Sequence, residues 1–201
     1  MKILEIFRSI QGEGSYMGIP CIFIRFAGCN LHCDFCDTKE SWGHSNAREM
    51  SIQDILEEVD KYNCSQVVIT GGEPCMVEEL PDLVNALIDT GFCVGIETNG
   101  TLPTPKSKFK DALWVVCSPK PETNYQIHED CHPDELKYVV TDDFDDQMAI
   151  PVSIRRRYPD KIWLQPDGYN MKEMWRKCVN IAFQDCRLRV GVQLHKIMEI
   201  K

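Results

Sequence analysis

Cys21-Ile22-Phe23-Ile24-Arg25-Phe26 runs almost directly into Gly28-Cys29-Asn30-Leu31-His32-Cys33-Asp34-Phe35-Cys36-Asp37-Thr38. The first part is a near-continuous apolar run, which predicts a buried strand of a parallel sheet. The second sets three cysteines at the spacing C-x3-C-x2-C. Three thiolates this close can bind three corners of one iron–sulfur cluster, whereas most clusters take four cysteines. No fourth cysteine is local, so one iron would stay open for chemistry, by the logic that separates catalytic from structural zinc sites. Two blander readings compete. The cysteines and His32 could ligate zinc, although structural zinc sites usually use two separated ligand pairs. The cysteines could also be buried small hydrophobes. Arg25 interrupts the apolar run, and a charge in a buried strand needs a partner. A barrel interior facing an anionic ligand would supply one, and so would a structural ion pair.

Outward from this stretch, strands and helices alternate. Leu4-Glu5-Ile6-Phe7 reads as a short strand. Ser51 reads as an N-cap with Asp54 in the third position. Ile52, Ile55, Leu56, Val59 and Tyr62 follow at helical spacing. Val67-Val68-Ile69-Thr70 is a strand that ends at Gly71-Gly72-Glu73-Pro74. Leu80, Leu83, Val84, Leu87 and Ile88 mark a helix with Gly91 at its C-terminal cap. Val94 to Thr98, Trp114 to Cys117, Leu136 to Val140, Ile162 to Pro166 and Leu188 to Val192 read as further strands. Pro103 and Pro105 break the segment between the first two of these, and Pro151 starts or breaks a helix within 144–157. Met171, Met174, Trp175, Cys178, Ile181 and Ala182 form the core stripe of another helix. This order predicts right-handed βαβ units around a parallel sheet.

The distinctive residues follow strands: the cysteine loop, Gly71 to Pro74, Ser118-Pro119-Lys120, Gln165-Pro166-Asp167 and His195. In a barrel of parallel strands those ends share one face, where active sites sit. Six or seven strands in 201 residues fall short of an eight-unit barrel, so a partial (βα)6-like barrel in a single domain, residues 1–201, is expected. The net charge of −9 argues against a nucleic-acid partner. No segment approaches a membrane span. The N-terminal stretch is too charged and too short in its apolar part for a signal peptide, which points to the cytoplasm. Eleven cysteines, odd in number and without pairing pattern, read as thiols of a reducing compartment.

The cysteine spacing together with Gly71-Gly72-Glu73-Pro74 resembles the radical S-adenosylmethionine (SAM) superfamily. The resemblance implies a 4Fe–4S cluster on Cys29, Cys33 and Cys36, whose open iron chelates SAM and splits it to a hydrogen-abstracting 5′-deoxyadenosyl radical. A strand-end turn such as Gly71 to Pro74 leaves backbone carbonyls free for the SAM amine. Further motifs extend the match: Gln11-Gly12-Glu13-Gly14, Cys36-Asp37-Thr38, Glu97-Thr98-Asn99-Gly100, Ser118-Pro119-Lys120, Gln165-Pro166 and Gln193-Leu194-His195-Lys196. With them the chain is similar to the 7-carboxy-7-deazaguanine synthase family over nearly its whole length, weakly at Thr101 to Phe109 and at Pro121 to Pro133.

That family implies a carbon–nitrogen lyase of queuosine and 7-deazapurine biosynthesis. It contracts the ring of 6-carboxy-5,6,7,8-tetrahydropterin to 7-carboxy-7-deazaguanine with loss of ammonia. By position, the resemblance implies SAM contacts from Phe35, Asp37, Gly72, Ser118, Pro119, Lys120 and Gln165. It implies substrate contacts from Ile10, Gln11, Gly12, Arg25, Thr70 and His195, with Arg25 on the carboxylate, and a magnesium ion on Thr38. A homodimer and a flavodoxin- or ferredoxin-type electron donor are the implied partners. By themselves, His195 reads as a packed or surface histidine, Lys120 as a solvated charge, and Thr38 as the cap of a short helix near Lys39 to Trp42. Two other functions share parts of the pattern: a glycyl-radical-enzyme activase and a non-enzymatic zinc-binding interaction module.

Overall fold

In a computed structural model residues 1–109, 111–168 and 171–201 are described, residue 171 without its side chain. Strands β1 (Lys2–Ile10), β2 (Pro20–Phe26), β3 (Arg48–Glu49), β4 (Gln66–Gly71), β5 (Cys93–Thr98), β6 (Leu113–Cys117), β7 (Glu135–Val140), β8 (Ile162–Pro166) and β9 (Leu188–Val190) form one sheet. Their order is β3-β1-β2-β4-β5-β6-β7-β8-β9. From β2 to β9 every neighbouring pair is parallel. β1 runs antiparallel to both β2 and β3. The expected strands are all present, and β3 joins them as a two-residue edge.

Helices α1 (Ile52–Val59) and α2 (Leu80–Asp89) precede β4 and β5. Short helices α3 (Asp146–Ala149) and α4 (Val152–Arg157) precede β8, and α5 (Met171–Gln184) precedes β9. α6 (Leu194–Ile197) follows β9. The Ser51–Asp54 capping box closes as the sequence suggests: Ser51 Oγ accepts from Asp54 N at 3.1 Å and Asp54 Oδ2 accepts from Ser51 N at 2.8 Å. Gly91, at φ +97°, supplies the left-handed residue just past α2. Pro151 separates α3 from α4 as the N-cap of the latter. Between β5 and β6 the described residues contain no helix, as Pro103 and Pro105 require. The Met171 side chain of the α5 stripe lies outside the described residues.

Helices cover one face of the sheet. Ile22, Ile24 and Phe26 of β2, Val67 and Ile69 of β4, and Val94 and Ile96 of β5 pack against Ile55, Val59, Leu83 and Leu87. Leu136, Tyr138, Val140, Ile162 and Leu164 pack with Met174 and Cys178 of α5. Strand side chains alternate between faces, so the opposite phase points into the barrel. That phase contains Arg25, Thr70, Glu97, Lys137 and Gln165. Register sets Arg25 beside Thr70 and Val139 beside Gln165.

Residues of the 193–201 segment reach back to β1 and the turn after it. Leu194 N donates to Gly12 O at 2.9 Å, Ser9 Oγ bonds Lys201 O, and Lys201 Nζ bonds Glu5. An open barrel edge is a reason to expect a dimer. Here residues of the chain's own C-terminal segment contact β1.

Candidate active site

The cysteine loop is built directly on two strand ends. Gly28, at φ +100°, donates its N–H to Ser41 O at 2.7 Å. Gly72 N donates to Phe26 O at 3.0 Å and Glu73 N to Gly28 O at 2.8 Å. A Cβ on Gly72 would stand 2.0 Å from Gly28 O. The glycine pair therefore serves close packing of one loop on another, and an ordinary turn would not need it.

Glu73 is buried, and its carboxylate accepts from Asn99 N at 2.6 Å, Thr98 Oγ1 at 2.7 Å and Cys75 N at 2.9 Å. Asn99 Nδ2 donates to Asn30 Oδ1 at 2.9 Å. This chain of bonds fastens the ends of β4 and β5 to the cysteine loop.

Cys29, Cys33 and Cys36 line the upper part of a cavity of about 670 Å³. Burial pushes the Cys29 thiol up, and the Cys33 thiol up to about 12. Among the described residues no three His, Cys, Asp or Glu side chains are already gathered around one point.

Of the residues given cluster, SAM, substrate or magnesium roles by the resemblance, all but Gly12 and Pro119 line this one cavity. Gly12 lies against His195: a Cβ there would be 2.0 Å from His195 Nδ1. Pro119 is buried between Ser118 and Lys120. Lys120 is not a solvated charge. Its ammonium donates to Ser118 Oγ at 2.8 Å and lies 5.5 Å from the Phe35 ring centre. Burial, reinforced by Lys137, lowers its pKa. Gln165 is 3% exposed, and its Nε2 has no partner among the described residues. A buried amide donor without a partner is costly unless a ligand takes it.

Arg25 uses Nε to reach Glu5 Oε1 at 2.8 Å, and its guanidinium lies 5.8 Å from the Phe7 ring centre. The structural ion pair is therefore real, yet it occupies one of five donors. Thr38 does not cap the 3-10 helix Lys39–Ser41: its side chain makes no cap bond and donates to Asp37 Oδ1 at 3.2 Å. Asp37 in turn accepts from Lys196 Nζ at 2.7 Å and Gln193 Nε2 at 3.4 Å. Burial raises its pKa, but Lys196 outweighs that and holds it down to about 2. His195 is lowered, chiefly by burial, which favours the neutral imidazole.

Sequence reasoning assigned no role to Glu13, Glu97, Lys137, Gln193 or Lys196. They form the polar wall of the cavity. Glu97 accepts from Gln11 Nε2 at 3.2 Å and Thr70 Oγ1 at 3.1 Å. Glu13 pairs with Lys137 and accepts from Gln193 Nε2 at 2.7 Å. Although burial raises Glu13, the Lys137 ammonium keeps it ionised, and Glu13 and Glu97 raise Lys137 against its own burial. The readable signal was charge at the inward phase of otherwise apolar strands, in Val94-Gly95-Ile96-Glu97 and Leu136-Lys137-Tyr138.

A partial parallel barrel carrying such a cysteine loop, with a glycine turn seated on it, defines the radical SAM class. Residues 23–113 match the model of the Radical SAM superfamily. Two enzymes named 7-carboxy-7-deazaguanine synthase are each 38% identical to this chain. The one from Aquifex aeolicus matches over 98% of this chain and 93% of its own length. The one from Bacteroides thetaiotaomicron matches over 100% and 98%. The crystal structure of QueE from Escherichia coli superposes with a TM-score of 0.77 at 29% identity, covering 96% of this chain and 94% of that one. The chain belongs to the 7-carboxy-7-deazaguanine synthase family.

The class uses a 4Fe–4S cluster and SAM, and the residues fit both. Cys29, Cys33 and Cys36 line one cavity, and the orphaned Gln165 amide faces the same space. Among the described residues no helix is long and apolar enough to cross a membrane.

Proposed function

We propose that this single-domain protein converts 6-carboxy-5,6,7,8-tetrahydropterin to 7-carboxy-7-deazaguanine, releasing ammonia, in the cytoplasm. The observation that carries this reading is the polar wall beneath the cysteines. Arg25, Thr70 and Glu97 project inward from β2, β4 and β5. A carboxypterin offers a carboxylate at one end and a guanidine-like ring edge at the other. The free part of the Arg25 fork suits the first, because a guanidinium clamps a carboxylate through parallel hydrogen bonds. Glu97 with Gln11 suits the second, as acceptor and amide.

Cys29, Cys33 and Cys36 would hold the cluster, and Phe35, Asp37, Gly72, Ser118 to Lys120 and Gln165 would hold SAM. When bound, these two supply a hydrogen-abstracting carbon radical. The protein's own part is positioning and exclusion of water. His195, largely neutral, keeps a ring nitrogen available for a proton beside Gly12. Lys137 balances the charge of Glu13 so that the wall tolerates an anionic substrate. Release of ammonia needs no external oxidant, since substrate and product differ by one NH3. The charged wall of Arg25, Glu97 and Lys137 fits this small polar substrate better than the polypeptide loop an activase must admit. A flavodoxin- or ferredoxin-type protein is the electron donor in this reading, and a homodimer stays part of it on family grounds alone.

Anaerobic reconstitution with iron and sulfide, then product analysis with SAM, reductant and the carboxypterin, tests the reading. Formation of 5′-deoxyadenosine without any deazaguanine product would reject it.

Arg25→Lys keeps the charge and loses the fork. The KM for carboxypterin should rise roughly tenfold to a hundredfold, the worth of one or two charge-assisted hydrogen bonds. A normally folded variant with unchanged KM would leave Arg25 as the partner of Glu5 and nothing more.

Thr38, with Asp37 beside it, would place magnesium against substrate oxygens. Magnesium takes oxygen ligands and retains waters, so a lone hydroxyl needs the substrate to complete the site. Thr38→Ala should abolish magnesium stimulation and keep the cluster, whereas Thr38→Ser should retain much of it. Turnover measured with and without magnesium reads this directly, and an unchanged response in Thr38→Ala would end the magnesium assignment.

A further inference from the structure

One buried carboxylate has no part in the chemistry above. Glu135, the first residue of β7, is 1% exposed. It stands at the N-terminal end of the parallel strands, opposite the cysteine loop. A charge this deep persists only with partners. Its Oε2 accepts from Ser15 N at 3.1 Å, Ser15 Oγ at 2.5 Å and Trp163 Nε1 at 3.0 Å. Gly14, at φ +68°, brings the turn so close that a Cβ would sit 2.2 Å from Glu135 Oε1.

Ser15 belongs to the segment that leaves β1 at Ile10 and returns to β2 at Pro20, at the foot of the barrel. This segment carries Gln11 and Glu13 into the cavity and sets Gly12 against His195. β7 grips it at two heights. Lys137, two residues above Glu135 on the same inward face, pairs with Glu13, while Glu135 holds Ser15. Trp163 brings β8 into the same tie. Two anchors fix the direction of the residues before them as well as their position. That direction points the Gln11 amide at Glu97 and leaves the Gly12 backbone against His195.

We propose that Glu135 is a positioning residue for the substrate: by clamping the Gly14–Ser15 turn to the foot of β7 and β8, it sets Gln11, Gly12 and Glu13 as the floor of the pterin pocket. This inference rests on the carboxypterin reading and adds a residue that never touches the substrate. SAM, held at the other end of the cavity, should hardly sense Glu135.

Calorimetry on cluster-reconstituted protein, anaerobic and without reductant so that nothing turns over, separates the two ligands. Glu135→Ala should weaken binding of 6-carboxy-5,6,7,8-tetrahydropterin about tenfold and change SAM binding less than about twofold. Glu135→Gln should stay within about threefold of wild type for both, because its amide oxygen can accept from the same three donors. Ser15→Ala, which keeps the backbone and Trp163 bonds, should fall between them and decides the matter if Glu135→Ala does not fold. Unchanged carboxypterin affinity in Glu135→Ala, or in Ser15→Ala where that variant must decide, overturns the proposal. So does an equal loss of SAM affinity, which would mark general loosening. Wild-type protein that binds SAM but no carboxypterin overturns the functional reading, and the proposal with it.

Discussion

Cys33→Ala protein is expected to leave anaerobic reconstitution without a complete cluster and to cleave no SAM, while Cys178→Ala is expected to do both like wild type. The two thiols are alike in burial and in acidity: Cys33 is 6% exposed and Cys178 0%, and burial pushes each up to about 12. Their surroundings differ. Cys33 opens onto the cavity with Cys29 and Cys36, whereas Cys178 lies on the apolar face of α5 among Leu136, Leu164 and other core residues. Iron can replace the proton of Cys33, because a metal-bound thiol is deprotonated outright. Losing one of three ligands removes a corner that no nearby cysteine can supply. The Cys178 variant loses one core sulfur, at a cost of about 1 kcal/mol. Visible absorption, iron content and 5′-deoxyadenosine formation would show the contrast. Equal loss of SAM cleavage in both variants would sink the cluster assignment.

Gly72→Ala should be nearly as damaging, although it adds one methyl group and no charge. The new Cβ would meet Gly28 O at 2.0 Å, Gly28 C at 2.4 Å and Ser41 O at 2.8 Å. All three are backbone atoms, so no side chain can swing aside. The turn after β4 and the base of the cysteine loop must separate, which breaks the Glu73 N to Gly28 O bond of 2.8 Å. Overpacking of this kind costs roughly 1–3 kcal/mol, and here the strain falls on the loop that holds Cys29. SAM cleavage should drop at least about a hundredfold, in line with a misplacement of about 1 Å at a reacting centre. Gly43→Ala is the control, since nothing lies within 4 Å of a Cβ there. Iron content, SAM affinity and a melting curve measured on both variants decide. A Gly72→Ala protein matching Gly43→Ala in all three would mean that the turn relaxes freely and does not position the cysteine loop.

Local sequence determined the elements. Runs such as Val67-Val68-Ile69-Thr70 are strands because apolar residues bury on both sides of a parallel strand or alternate in step with its pleat. Ser51 and Asp54 start α1 because the two groups satisfy each other's backbone across three residues. Cys29, Cys33 and Cys36 were legible because a cluster loop draws its ligands from one short segment. The tertiary structure alone decided which face of each strand looks inward, and so which charges meet. Ile96 and Glu97 are neighbours in sequence, yet one packs among the residues under α1 and α2 and the other accepts from Gln11, 86 residues away. Lys137 meets Glu13 across 124 residues, and Ser9 meets Lys201 across 192. Hydrophobic periodicity records only whether a residue's own surroundings are wet or dry. Where a buried charge finds its counter-charge depends on how the sheet curls, and that is set by the packing of the whole chain.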